Sequence, residues 1–329
     1  MKPLSPKTLA KMYAGLGLPQ ESIDLLHVYF LSFSNLYGVI SVRDAWAVYR
    51  NYEGTLPVHK KDFYAFSGIV RREPELPYAV PELKEVYSGE ETDDPGERLI
   101  VNGKLIMSGY YKYSMLYNVV DMQGNKPVYL PPDSLSLLAH AEDRFFLSEA
   151  GVRMVRFLKG LETSGHCVGP DGEDEGELTD VDGNPTAGKR LSDFVVYTRA
   201  EQFDIEDEKT EEKKEMLRQK FKRTALEKTL NDIFRDLQIT SCMPSTGPAD
   251  LLRMRIDFLK RELGVDLTVA QAGQFMNLYF SLNNQSHLWS NRGWRPDELG
   301  DRGSYGFPGT FFAGPNMKRM GPDRAEFKK

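Results

Sequence analysis

The chain has 329 residues, a formal net charge of −6 and 40% hydrophobic residues. This length is long for a protein with a single hydrophobic core and is sufficient for two domains. The apolar runs are far too short to span a bilayer, and Met1 to Pro6 lacks the apolar core of a signal peptide. Cys167 and Cys242 are too few for a disulfide framework or a structural zinc site. We therefore expect a cytoplasmic protein without a membrane partner.

Charge is unevenly distributed along the chain. Residues 1–72 contain nine basic and five acidic residues, whereas residues 73–97 contain nine acidic residues and one basic residue. Residues 171–182 contain seven acidic residues and no basic one, and residues 287–329 contain eight basic and five acidic residues. The acidic stretches predict solvated linkers. The basic ends leave nucleic acid open as an alternative partner.

The N-terminal part shows the apolar spacing of three helices. The first carries apolar residues from Ile23 to Tyr37 at three- to four-residue intervals and ends at Gly38. The second begins after Ser41, which is a favourable N-cap residue. The third is predicted from Lys60 to Arg72.

Two strand pairs are predicted after these helices. Asn102-Gly103, inside the apolar run 99–106, is typical of a type I′ hairpin turn. Residues 119–121 and 128–130 predict a second pair. Three helices followed by a β-ribbon is the order of a winged helix, so the predicted class is α+β with a winged-helix-like N-terminal domain. If that domain binds nucleic acid, the contacting residues are predicted to be Lys60, Lys61, Arg71, Arg72 and Lys104.

The second half of the chain is predicted to be helical. The apolar stripe of residues 211–237 predicts one amphipathic helix. Thr268 and Gln271 form a capping box that opens a further helix, in which Phe275, Tyr279 and Leu282 point inward. We predict a helix-plus-hairpin domain at 1–132, a helical connector at 133–162, an acidic flexible linker at 163–200, a helical domain at 201–299 and a basic tail at 300–329.

The segment from Asn283 to Leu299 is the most distinctive part of the sequence. It contains two of the three tryptophans within seventeen residues. In a structural interpretation, Asn283 and Asn284 cap the preceding helix, the two tryptophans fill the core, and Pro296 begins a last helix. In a functional interpretation, the segment recognises a partner, because Trp and Arg dominate binding hot spots. The candidate residues are Asn284, His287, Trp289, Asn291, Arg292 and Arg295.

This segment, from Phe275 through Leu299, resembles one found in bacterial proteins of largely unassigned function. Many of those proteins resemble the SecA-tail (SEC-C) zinc-motif family, which carries a cysteine-rich module at the C-terminus. Leu36-Tyr37-Gly38 is also similar to them. No cysteine follows Leu299 here, so the resemblance implies no zinc site. It does imply adaptor behaviour.

No catalytic or nucleotide-binding motif is present, and the five histidines show no metal-ligand spacing. We therefore expect neither a cofactor nor a metal ion, and no small-molecule substrate. The sequence favours a non-catalytic bacterial adaptor that binds an unidentified protein partner. A winged-helix nucleic-acid-binding regulator and an enzyme without a recognisable motif stay open as alternatives.

Overall fold

The computed structural model describes residues 3–52, 58–88, 94–107, 109, 111–142, 148–168, 173–243, 246–300 and 318–319. Helices dominate, and a small antiparallel sheet accompanies them, so the α+β class is confirmed. Within the described ranges, no helix combines the length and the apolar character needed to cross a membrane.

The chain divides into two compact units, and the first of them is discontinuous in sequence. Unit 1 comprises residues 1–145 together with 286–329, and unit 2 comprises residues 146–285. This division differs from the predicted boundaries, because residues 286–299 leave the predicted helical domain and join the N-terminal one. Unit 2 is therefore an insertion within unit 1.

Unit 1 is built around one long buried helix, α2. Its side chains Leu26, Phe30, Phe33 and Leu36 have no solvent exposure. Aromatic rings of neighbouring helices pack on them, and Phe30 lies 5.0 Å from Phe66 between ring centroids. The helices of unit 1 are α1 Pro6–Ala14, α2 Gln20–Tyr37, α3 Val42–Arg50, α4 Lys60–Val70, α5 Leu83–Val86, α6 Ser114–Gln123, α7 Ser134–Leu138 and α14 Pro296–Gly300.

The predicted ends of the early helices agree with the structure. Gly38 follows α2 with a φ of 70°. The Ser41 hydroxyl caps α3 by accepting a hydrogen bond from the Asp44 N–H at 3.0 Å. Pro296 begins α14, as predicted. Asn283 and Asn284, in contrast, do not cap their helix, because it continues to Gln285.

The sheet of unit 1 is formed by distant segments and not by hairpins. Three strands lie in the order β1-β4-β2 and pair antiparallel, with Val101 of β4 opposite Val39 of β1 and Ala79 of β2. A two-residue strand, β3, pairs with β7 near the C-terminus. The strands are β1 Val39–Ser41, β2 Tyr78–Ala79, β3 Tyr87–Ser88, β4 Leu99–Asn102 and β7 Lys318–Arg319.

Both predicted hairpins are wrong. After β4 the chain enters a 3-10 helix, Gly103–Leu105, because the Asn102 side chain accepts a hydrogen bond from the Lys104 N–H at 3.0 Å. Residues 119–121 lie in α6, whose buried side chains at 116, 119, 120 and 123 follow helical spacing. The winged-helix ribbon is therefore missing from the described part of unit 1.

Unit 2 consists mainly of helices. Arg255 links two of them, since its guanidinium is buried and paired with Asp232 and Asp236. The helices are α8 Glu149–Lys159, α9 Arg199–Asp207, α10 Glu211–Phe221, α11 Ala225–Gln238, α12 Pro248–Leu263 and α13 Val269–Gln285. The strands β5 His166–Val168 and β6 Asp174–Glu177 pair antiparallel.

Two predictions for unit 2 are wrong. The single helix predicted over 211–237 is two helices, because a capping box of Thr224 and Glu227 starts α11 anew. The described residues of the predicted flexible linker, 163–168 and 173–200, are part of the folded unit. Its side chains Leu191, Phe194 and Val196 are buried. Acidic composition concealed these apolar positions.

Candidate functional site

The middle of the distinctive tryptophan segment, residues 286–294, lies in the interior of unit 1. Trp289 is fully buried, and its indole N–H donates to the Asn35 carbonyl at 2.8 Å. Its ring packs against Gly38 so closely that a Cβ at Gly38 would lie 2.5 Å from it. The backbone after α2 therefore has no room for a side chain where Trp289 docks.

Gln123 ties the same segment to the rest of unit 1. Its side-chain amide nitrogen lies 2.9 Å from the Tyr37 carbonyl and 2.9 Å from the Trp289 carbonyl. The Gln123 side chain is buried. Buried amide hydrogen bonds of this kind join α6, the end of α2 and the C-terminal segment.

Arg292 is also buried, and it is paired. Its Nη2 lies 2.7 Å from an Asp44 carboxylate oxygen, and its Nη1 donates to the Lys126 carbonyl at 3.0 Å. Burial lowers the pKa of Arg292, while the charge of Asp44 opposes that shift. A guanidinium that is already held by protein partners is not presented to a ligand in this arrangement.

The other predicted partner-binding residues are divided between the units. In unit 1, His287 Nδ1 lies 2.6 Å from the Gly293 carbonyl, Arg295 pairs with Glu298, and Asn291 is half-buried. Asn284 is exposed on α13 of unit 2. The packing therefore favours the structural interpretation of Trp289 and Arg292, and it leaves Asn284 as the exposed residue of the six.

The five nucleic-acid candidates do not lie together. Lys60 and Lys61 are exposed in the first turn of α4, whereas Arg71 and Arg72 follow its last turn. Lys60 and Arg71 are eleven positions apart, which is about 16 Å along a helix axis. Lys104 lies in the 3-10 helix that replaces the predicted ribbon.

Arg71 is moreover neutralised within unit 1. Its guanidinium lies 2.9 Å from Glu82 and 2.7 Å from Glu85, and its side chain is buried. A phosphate group would have to displace both carboxylates to reach it. Lys60 lies over the ring of Tyr64, with Nζ 5.2 Å from the ring centroid.

An exposed apolar stripe runs along α13 of unit 2. Val269 is 92% exposed, Met276 41% and Phe280 37%. At about 100° per residue, these three side chains project within about 40° of one another. The buried side of the same helix carries Phe275 and Tyr279, as predicted, and Phe275 stacks on Phe157 of α8.

The stripe has the spacing of a helix-packing seam. Val269, Gly273, Met276, Phe280 and Asn283 follow one another at alternating intervals of four and three residues, which is the pattern of coiled-coil contact positions. We call these five residues the α13 seam. A Cβ built at Gly273 would meet no atom within 4 Å, so the seam has open space at its smallest residue.

No charged residue occurs in the seventeen residues of α13. Surface helices normally carry charged side chains on the face opposite the core, and 27% of this chain is charged. Sequence reasoning recognised the inward face of α13 and missed the seam. The missing charge over four helical turns was the available signal.

No protein-family model, no curated protein and no solved structure matches this chain at a significant level. Among the described residues, no three His, Cys, Asp or Glu side chains are grouped so that they could hold a metal ion.

The Gly38–Trp289 contact predicts a strong effect of Gly38→Ala. The added Cβ would clash with the Trp289 ring, and residue 38 would also have to keep its positive φ of 70°. We expect these two costs to lower the free energy of unfolding by about 2–5 kcal/mol. Gly17→Ala is the matched control, because Gly17 has a φ of 69° and no atom within 4 Å of the added Cβ. It should cost only about 1–2 kcal/mol.

Urea unfolding followed by tryptophan fluorescence measures both effects in unit 1. Trp46, Trp289 and Trp294 are the only tryptophans of the chain, and all of them belong to unit 1. Equal losses in the two variants would show that the Trp289 contact contributes nothing beyond backbone strain.

His140 predicts acid sensitivity of unit 1. Its ring centroid lies 5.4 Å from that of His287. Burial, with a smaller contribution from His287, lowers the pKa of His140 from 6.5 to about 4. Below pH 6.5 the unfolded chain binds a proton that the folded chain does not. Stability should therefore fall by up to about 3 kcal/mol between pH 6.5 and 4.

His140→Phe removes this titration and keeps an aromatic ring at the position. The free energy of unfolding, measured by urea titration at several pH values from 7 to 4, should fall less steeply in the variant than in the original chain. Parallel pH profiles would contradict the assignment of this acid sensitivity to His140.

Proposed function

We propose that this protein is a non-catalytic adaptor that acts through protein–protein contacts, and that the α13 seam is its contact surface. The observation that carries the proposal is the combination of three exposed apolar side chains in one line with a helix that lacks any charge. Apolar surface that the fold leaves uncovered marks interaction sites. The free energy of association is most favourable when a partner excludes water from this apolar face and its flanking amides.

The chemistry of the seam favours a partner helix. Alternating four- and three-residue spacing matches the way in which one helix inserts its side chains between those of another. The open space at Gly273 allows a second backbone to approach closely. A membrane surface is a weaker fit, since α13 has no Lys or Arg for anionic headgroups.

Two further features support this proposal. The chain contains only two cysteines, Cys167 and Cys242, which is compatible with the reducing cytoplasm that we propose as its location. The resemblance of residues 275–299 to bacterial proteins of the SEC-C-associated type implies an adaptor role. That resemblance includes Asn284, which is exposed and lies one turn beyond Phe280 on α13.

Site-specific photocrosslinking tests the proposal. A photoreactive amino acid replaces Met276 in the full chain, and the protein is irradiated in an extract of its source cells. A matched control carries the same amino acid at Met254, which is 50% exposed on α12 and outside the seam. We expect protein adducts of increased mass from position 276 and none from position 254, because only the seam is covered by a partner.

Absence of any adduct from position 276 would refute the seam as a protein contact. Equal adduct yields from the two positions would also count against it, since random collisions label exposed sites alike.

A further inference from the structure

We infer that the helix occupying the α13 seam is α13 of a second copy of this chain, packed antiparallel to the first. This inference rests on the proposed function, because it names the partner of the same surface. It makes the protein a homodimer in which the part of the α13 seam from Gly273 to Asn283 is covered by the same residues of the second copy.

The charge pattern of α13 fits a two-fold contact with itself. In a symmetric dimer, residues near the axis meet the same residues of the partner. A charged side chain there would face its own like charge, and α13 carries none. Asn277, at the middle of α13, is exposed and its amide contains both a donor and an acceptor, so the two copies of this side chain can pair.

The sizes of the seam residues favour the antiparallel arrangement. A parallel pair would place Gly273 against Gly273 and Phe280 against Phe280, and the two helices would be close at one end and forced apart at the other. With a two-fold axis near residue 278, Met276 instead meets Phe280 of the second copy, and Gly273 meets Asn283. Met and Phe make favourable sulfur–aromatic contacts, and antiparallel helix dipoles attract each other.

The overall charge predicts how salt affects the dimer. Each copy has a formal net charge of −6, so the two copies repel each other over distance. The seam itself contributes no ion pair. Added salt screens the repulsion without weakening the contact, and dimerisation should strengthen with ionic strength. A contact with an oppositely charged partner would weaken instead.

Sedimentation of the purified full chain over a range of concentrations tests the inference. We expect a reversible monomer–dimer equilibrium that shifts toward dimer as salt is raised. Met276→Glu should be monomeric at every concentration, because it would bury unpaired carboxylates in the seam. Met254→Glu, on α12, is the matched control and should dimerise as the original chain does. Circular dichroism verifies that both variants are folded.

A charge-pair rescue tests the register and guards against a folding defect. Phe280→Lys alone should also be monomeric. An equimolar mixture of Met276→Glu and Phe280→Lys should form a heterodimer, because the axis near residue 278 brings the introduced carboxylate next to the introduced ammonium group. The mixture then contains one ion pair and one original Met–Phe contact.

Three outcomes would overturn the inference. The first is a chain that stays monomeric throughout while position 276 crosslinks to a different protein. That result leaves the proposed function intact. The second is a dimer that persists in Met276→Glu, since it would form elsewhere. The third is a mixture that does not associate, which would refute the antiparallel register. Absence of every crosslink in the extract refutes the proposed function itself.

Discussion

The docking of Trp289 against Gly38 holds the two ends of unit 1 together. The ring of Trp289 lies where any side chain at position 38 would be. The indole N–H of Trp289 donates to the carbonyl of Asn35 in α2, the helix that Gly38 follows. Gln123 then binds the Trp289 carbonyl from α6. Because a buried tryptophan contributes a large apolar area, residues 286–294 are part of the core of unit 1, and unit 2 is inserted ahead of them. The buried pair of Arg292 with Asp44 depends on the same docking.

Local signals in the sequence predicted local structure well. The helix end at Gly38, the Ser41 cap and the Thr268–Gln271 capping box each involve residues within a few positions of one another, and α13 buries the face that its periodicity indicated. The predicted hairpins failed because β4 pairs with strands that lie tens of residues away. Asn102-Gly103 indicates a turn whether a hairpin or a 3-10 helix follows β4. Only tertiary pairing decides which strands pair with β4.

For the candidate site too, the sequence predicted features that depend on neighbouring residues and did not predict those that depend on distant contacts. The composition of the tryptophan segment indicates both core packing and recognition, because Trp and Arg serve either role. Burial of Trp289 and Arg292 could not be derived without knowing that the segment returns to α2 and α3. The α13 seam, in contrast, was visible in the sequence as seventeen residues without charge. The inward residues of the helix already account for its apolar periodicity, so that periodicity alone does not reveal a second apolar line.

The insertion of unit 2 within unit 1 is tested most directly by removing unit 2. His140 and His287 flank the insertion, and their ring centroids are 5.4 Å apart, so a short Gly-Ser linker can replace residues 143–285. This shortened chain should unfold cooperatively in urea, with the buried-tryptophan fluorescence of unit 1 lost in a single transition. A matched chain of residues 1–142 alone should not, since it lacks Trp289. If the linked chain showed no cooperative transition, or if residues 1–142 alone folded equally well, the C-terminal segment would not complete the core of unit 1.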